Sequence, residues 1–123
     1  MIKDGEFRNL IVGQKAMAMV REIYEISNSW PHNEQFGLTS QTRKSAVSVL
    51  SNIAGGKGRS GSREYLHHFP IAHGSLWELE TQLQLAHDFD YMPEERLLDV
   101  FGQTEEVGRL LRGLNRSLNS TQS

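Results

Sequence analysis

The sequence predicts an all-α fold, an antiparallel up-and-down four-helix bundle. Three observations carry it. Four segments repeat apolar residues in steps of three and four, polar or glycine-rich stretches separate them, and no segment alternates with the period of two that a strand requires.

In the first segment Val12, Ala16, Met19, Ile23 and Ile26 form one stripe, widened by Val20 and Tyr24, and "SNSWPHN" ends the helix near 27–30. An irregular linker through Gly37 follows, with a short turn expected at Glu34 to Phe36. Thr39 or Ser40 is placed to cap a second helix that carries Ala46, Val49, Leu50 and Ile53. Its small residues, Ser45, Ser48, Ser51 and Ala54, allow a neighbouring helix to come close, and Gly55 and Gly56 are expected to terminate it. The third helix is the most regular: Tyr65, Phe69, Ala72, Leu76, Leu79, Leu83 and Ala86 alternate by four and three. Capped by Ser62 and ending near Asp88, it would be about 40 Å long. Pro70 should bend it or free a carbonyl, and Gly74 is a weak point or a point of close contact. Pro93 suits the first position of a fourth helix, with Glu94 and Glu95 at its positive end, and Leu97, Val100, Thr104, Val107, Leu111, Leu114 and Leu118 on its stripe. The expected domain spans 1–118, with a frayed polar tail at 119–123.

A chain of 123 residues can bury one core without metals or disulfides. The absence of cysteine excludes disulfide scaffolds, thiolate metal sites and thiol nucleophiles. No apolar run approaches the roughly 20 residues needed to span a bilayer, and the N-terminal stretch does not read as a signal peptide, so a cytoplasmic location is expected. The net charge of −2 conceals a segregation. Residues 39–63 hold five cations (Arg43, Lys44, Lys57, Arg59, Arg63) and no acid, whereas 64–92 hold five acids (Glu64, Glu78, Glu80, Asp88, Asp90) and no lysine or arginine. Such asymmetry means either a charged binding face or two segments that pair, within or between subunits.

Several chemical readings fail. Gly56, Gly58 and Gly61 spell G-x-G-x-x-G, but a helix precedes them where a dinucleotide site needs a strand, and no GK[ST] follows. Glu64 and His67 form one E-x-x-H, but the second copy that a di-iron bundle needs is missing. Ser75 stands beside His73 and Gly74 but inside a regular helix, not on a nucleophile turn; helix-packing hydrogen bonds are the expected role of Ser75 and Glu78. The sequence therefore predicts no enzyme, no cofactor and no metal. Nucleic-acid binding survives, because the basic set lacks competing carboxylates and its glycines let backbone N–H groups approach phosphate.

The blocks "FRNLIVGQKAMAMVREIYEIS", "PHNEQFGLTSQTRKSAVSVLSNIAGGKGR" and "SREYLHHFPIAHGSLWELETQLQLA" resemble, in order, those of the 23S rRNA intervening-sequence proteins, over about residues 7–118. That family includes the accessory variability proteins of diversity-generating retroelements. Asn52, Ile53, Ala54, Gly58 and Arg59 match its N-I-A-E-G-x-G-R block, and Gly74, Ser75, Glu78, Leu79 and Gln82 match G-S-x-x-E-L-x-x-Q. Gly55 replaces the usual glutamate, Leu50 a frequent proline and Gly13 a common tryptophan. The resemblance implies a bacterial, non-enzymatic bundle that forms a homopentameric ring, which in one branch binds nucleic acid and a reverse transcriptase.

Residues and resemblance together give one expectation. Asn52, Ala54, Gly74, Ser75, Glu78 and Gln82 serve packing within or between subunits, and Arg43, Lys44, Lys57, Arg59 and Arg63 form a basic rim for RNA or DNA at the corner between helices two and three. The alternative is a structural or adaptor oligomer whose opposite charges are consumed in subunit contacts.

Overall fold

A computed structural model of the chain describes the backbone of residues 4–57 and 62–122 and the side chains of residues 11–55 and 67–119. The described residues form four helices, α1 (Asp4–Ser27), α2 (Leu38–Lys57), α3 (Ser62–Asp88) and α4 (Glu94–Gln122). A single 3-10 turn, His32–Glu34, lies between α1 and α2, and there is no strand among the described residues. Each long helix packs on two others, α1 and α3 both touching α2 and α4, while among the described residues the diagonal pairs do not meet.

Paired residues give the directions. Lys15 meets Glu106 and Glu22 meets Arg96 across α1 and α4. Ser48 meets Ser75 and Asn52 meets His68 across α2 and α3, so in both pairings one number rises as the other falls. Neighbouring helices are antiparallel, as short connections between long helices require.

The periodic residues are the core. Val12, Ala16, Met19, Ile23 and Ile26 of α1, Val49 and Ile53 of α2, Phe69, Ala72, Leu76, Leu79 and Leu83 of α3, and Val100, Val107, Leu111 and Leu114 of α4 are buried in one cluster. Burying one such leucine or isoleucine is worth about 1.5–3 kcal/mol, so this stripe, not helix propensity, holds the bundle. Thr104, at a periodic position of α4, is fully buried and therefore needs a partner for its hydroxyl.

Helix ends depart from the sequence reading at four points. The start of α2 is capped by neither Thr39 nor Ser40. Glu34 reaches forward, its Oε1 accepting the Leu38 N–H at 3.1 Å, and Thr39 is buried instead. Gly55 and Gly56 do not end α2, which continues to Lys57. A methyl group at Gly55 would lie 3.1 Å from Cε1 of His68, so the missing side chain makes room for α3 rather than stopping α2. Pro93 precedes α4, its carbonyl accepting the N–H groups of Arg96 at 3.1 Å and Leu97 at 3.2 Å, which is the cap position and not the first helical one. At its far end α4 runs to Gln122, since no proline or glycine follows Gly113 to break it.

Pro70 sits inside α3 with its ring exposed, and the helix continues through it. Proline has no N–H to offer the carbonyl of residue 66, four residues before it. The end of α3 is closed by a Schellman arrangement, with the Tyr91 N–H on Ala86 O at 2.8 Å and the Asp90 N–H on His87 O at 2.9 Å. Asp90 takes the left-handed position, φ 64°, that glycine fills most cheaply.

Candidate nucleic-acid interface

Of the five cations in 39–63, the side chains of Lys57 and Arg63 and the whole of Arg59 lie outside the described residues. Arg43 and Lys44 do not share their corner. Lys57 is 14 residues beyond Arg43 on one helix, about 21 Å along its axis, so the pair lies near the opposite end of the bundle.

Arg43 is occupied within its own chain. Its Nε donates to Ser27 Oγ at 2.8 Å, and its Nη2 donates to Tyr24 O at 3.2 Å and to Asn28 Oδ1 at 3.1 Å. The guanidinium lies 4.6 Å from the centre of the Tyr24 ring. A cation here neutralises the negative C-terminal end of α1, whose last turn carries no basic residue of its own. Lys44, one residue on, is exposed and has no ion-pair partner among the described residues.

Arg43 and Lys44 line a groove of about 510 Å³ between α1 and α2, together with Tyr24, Phe36 and Val47. Phe36 is 91% exposed. No carboxylate lines the groove. Lys44 beside the open ring of Phe36 is the pairing that single-stranded nucleic acid uses, phosphate on the charge and base on the ring.

The segment 39–63 and the acidic helix α3 do not neutralise each other among the described residues. Glu80 is engaged by α4, its Oε2 accepting the Thr104 hydroxyl at 2.7 Å. Asp88 accepts from Gln84 Nε2 at 2.9 Å and lies 3.7 Å from His87 Nδ1. Glu78 is exposed and forms no ion pair among the described residues.

Neutral polar groups join α2 to α3 instead. The hydroxyls of Ser48 and Ser75 share a hydrogen bond of 2.7 Å. Asn52 Nδ2 donates to Ser48 O at 2.8 Å, which leaves Asn52 Oδ1 to accept from His68 Nδ1 at 3.0 Å and so fixes the proton of that imidazole on Nδ1. Asn52 and Ser75 thus bond across the helix pair within the chain. Ala54 and Glu78 face outward, and a methyl group at Gly74 would meet nothing within 4 Å. Gln82 keeps a buried Oε1 with no partner among the described residues. Gly74 and Glu78 fall on the same stripe of α3 as the exposed Ile71 and Leu85.

One feature of this surface is absent from the sequence reading. A second cleft, of about 410 Å³, opens between α3 and α4, where His73, Trp77 and Glu80 face Thr104, Arg109 and Arg112. Trp77 is 68% exposed. The half-buried His73 is held below the ordinary histidine range, first by burial and then by the Arg112 charge. In the sequence Trp77 is only an apolar residue off the core stripe, and Arg109 and Arg112 stand 32 and 35 positions from it. No local pattern joins them.

Among the described residues no three histidine, aspartate or glutamate side chains gather as metal ligands, and no helix is long and apolar enough to cross a membrane. The family model for the 23S rRNA-intervening sequence protein matches residues 8–113. Among solved structures, the chain is similar to the crystal structure of a protein of unknown function from the S23 ribosomal protein family of Bacteroides thetaiotaomicron VPI-5482. The two share 19% identity and superpose with a TM-score of 0.79 over 89% of this chain and 98% of that one, a likeness of fold. No curated protein matches the chain.

Proposed function

The chain belongs to the 23S rRNA-intervening sequence protein family, and from that premise we propose that it is a non-enzymatic, self-assembling helical bundle of the cytoplasm that binds RNA or DNA. The observation that carries this reading is the groove between α1 and α2, where the exposed Lys44 stands beside the open ring of Phe36 with no carboxylate on its walls. Lys57, Arg59 and Arg63, whose side chains lie outside the described residues, add three cations to the same stretch of sequence. Self-assembly is supported by the outward stripe of α3, where among the described residues Ile71, Glu78 and Leu85 are exposed and a methyl group at Gly74 would meet nothing within 4 Å. Five copies in a ring, the number implied by the family resemblance, would repeat a weak basic surface and raise its avidity without any new contact.

Retention on single-stranded RNA and DNA, measured against salt, tests the reading. Binding is expected to fall steeply with rising salt. Phe36→Ala with Lys44→Ala should weaken it through the groove, and alanine at Lys57, Arg59 and Arg63 should weaken it through the corner. Salt-insensitive retention, or none by the unsubstituted protein, overturns the proposal. The alternative, an adaptor oligomer whose charges meet across subunits, is favoured if the corner triple variant dissociates in light scattering while no nucleic acid binds the intact protein.

A further inference from the structure

The cleft between α3 and α4 differs from the α1–α2 groove in one respect that decides its ligand: it has acids as well as cations on its walls. The antiparallel packing arranges them by level. At one end Glu80 meets Thr104, whose fully buried hydroxyl donates to Oε2 at 2.7 Å and fixes the carboxylate while leaving Oε1 free. At the middle is Gly108, where a methyl group would lie 3.3 Å from both Leu76 Cδ2 and Arg112 Nη1. The missing side chain is what lets the guanidinium fold back over the cleft. At the other end Arg112 faces His73, and no carboxylate pairs with Arg112 among the described residues. Trp77, one turn from Glu80 on the same face of α3, leaves most of its indole open beside this row.

Each group selects part of a ligand. The open indole offers a stacking surface to a flat ring. A carboxylate held in one orientation accepts two parallel N–H bonds, here one on Oε1 and one on the second lone pair of Oε2, and among the common bases the guanine Watson–Crick edge offers two such donors side by side, N1–H and N2–H. Cytosine and adenine offer one exocyclic amino group, and uracil one ring N–H. Arg112 supplies the charge for a phosphate. Seven residues separate Glu80 from His73, about 10 Å along α3, close to the reach from the edge of a purine to its 5′-phosphate.

We infer that the α3–α4 cleft binds a guanine nucleotide, with the base stacked on Trp77, its N1–H and N2–H on Glu80, and its phosphate on Arg112. The cleft lies on the α4 side of α3, away from the stripe of Gly74 and Glu78, so packing of subunits through that stripe leaves it open. The site takes its guanine as a free nucleotide or as one residue of a strand.

The test is calorimetric titration of the intact protein with GMP, AMP, CMP, UMP, guanosine and inorganic phosphate. GMP is expected to bind at least tenfold more tightly than AMP. Glu80→Gln keeps the Thr104 hydrogen bond and should bring GMP and AMP within about twofold. Arg112→Ala should weaken GMP at least tenfold and leave guanosine unchanged, and Trp77→Ala, at an exposed position, should weaken every nucleoside. Circular dichroism of each variant verifies the fold. Displacement of GMP by an oligonucleotide with one guanine identifies the strand as the source; failure to displace it identifies the free nucleotide. Equal binding of GMP and AMP, no nucleotide bound at millimolar concentration, or an intact preference in Glu80→Gln overturns the inference. The variant Phe36→Ala/Lys44→Ala should retain GMP, so that failure of the groove and failure of the cleft are read separately.

Discussion

The guanidinium of Arg43 lies over the ring of Tyr24, 4.6 Å from its centre, while the same group donates to Ser27 Oγ at 2.8 Å. A residue that the sequence offers as a phosphate ligand is thereby a clamp on the end of α1. Arg43→Ala should destabilise the protein by about 1–2 kcal/mol, since it removes charged hydrogen bonds and the cation at a helix C-terminus. Arg43→Lys should recover less than half, because an ammonium cannot form the fork or the stacked contact. Lys44→Ala should change stability by no more than about 0.5 kcal/mol. Urea denaturation of the three variants checks this.

Tyr91 donates its hydroxyl to Glu34 Oε2 at 2.7 Å and ties the loop before α2 to the loop before α4. That bond, with the Leu38 N–H second and against a small opposing effect of burial, holds Glu34 below the ordinary glutamate range. The same bond raises Tyr91, with burial and the Glu34 charge adding to it. Folding lowers the acid, so its contribution to stability is complete above the unfolded value, about 4.3, and is lost as pH falls through the lower folded value. Folding raises the phenol, so its contribution is complete below about 10 and is lost as pH rises from there through the folded value. Tyr91→Phe should remove the alkaline loss and reduce the acid one. Denaturation midpoints of both proteins from pH 3 to 11, on the order of ten points, would show either result.

Gly55 and His68 should couple. In an open helix Gly→Ala gains about 1 kcal/mol, but here the new methyl group would press on the imidazole at 3.1 Å. Gly55→Ala should therefore stabilise the His68→Ala background more than the unsubstituted protein, by at least ~0.5 kcal/mol. Equal gains in the two backgrounds would show that the ring moves aside freely.

Asp90 holds the left-handed position at the end of α3 with φ 64°. Asp90→Gly should raise stability by about 0.5–1 kcal/mol, the relief of a Cβ clash less the entropy glycine adds to the unfolded chain. A denaturation midpoint below that of the unsubstituted protein would show that the aspartate side chain itself stabilises the turn.

The fold was legible because its signal is local. Steps of three and four put Val12, Ala16 and Met19, or Leu76, Leu79 and Leu83, on one face whatever the rest of the chain does, and each of these residues is buried. Helix ends were less legible where a distant or forward-reaching group decides them. Gly55 reads as a stop until His68 is seen against it, and the cap of α2 comes from Glu34, four residues before Leu38.

By itself the sequence determined four amphipathic helices, their order, and a segregation of charge that calls for partners, because periodicity and composition are properties of neighbours along the chain. Tertiary structure alone decided which charges are free. Arg43 is spent on α1 because antiparallel packing brings position 43 to the carbonyl of Tyr24, 19 residues away. Trp77, Glu80 and Arg112 gather because the same packing sets position 80 beside 104 and position 73 beside 112, contacts that no local pattern encodes.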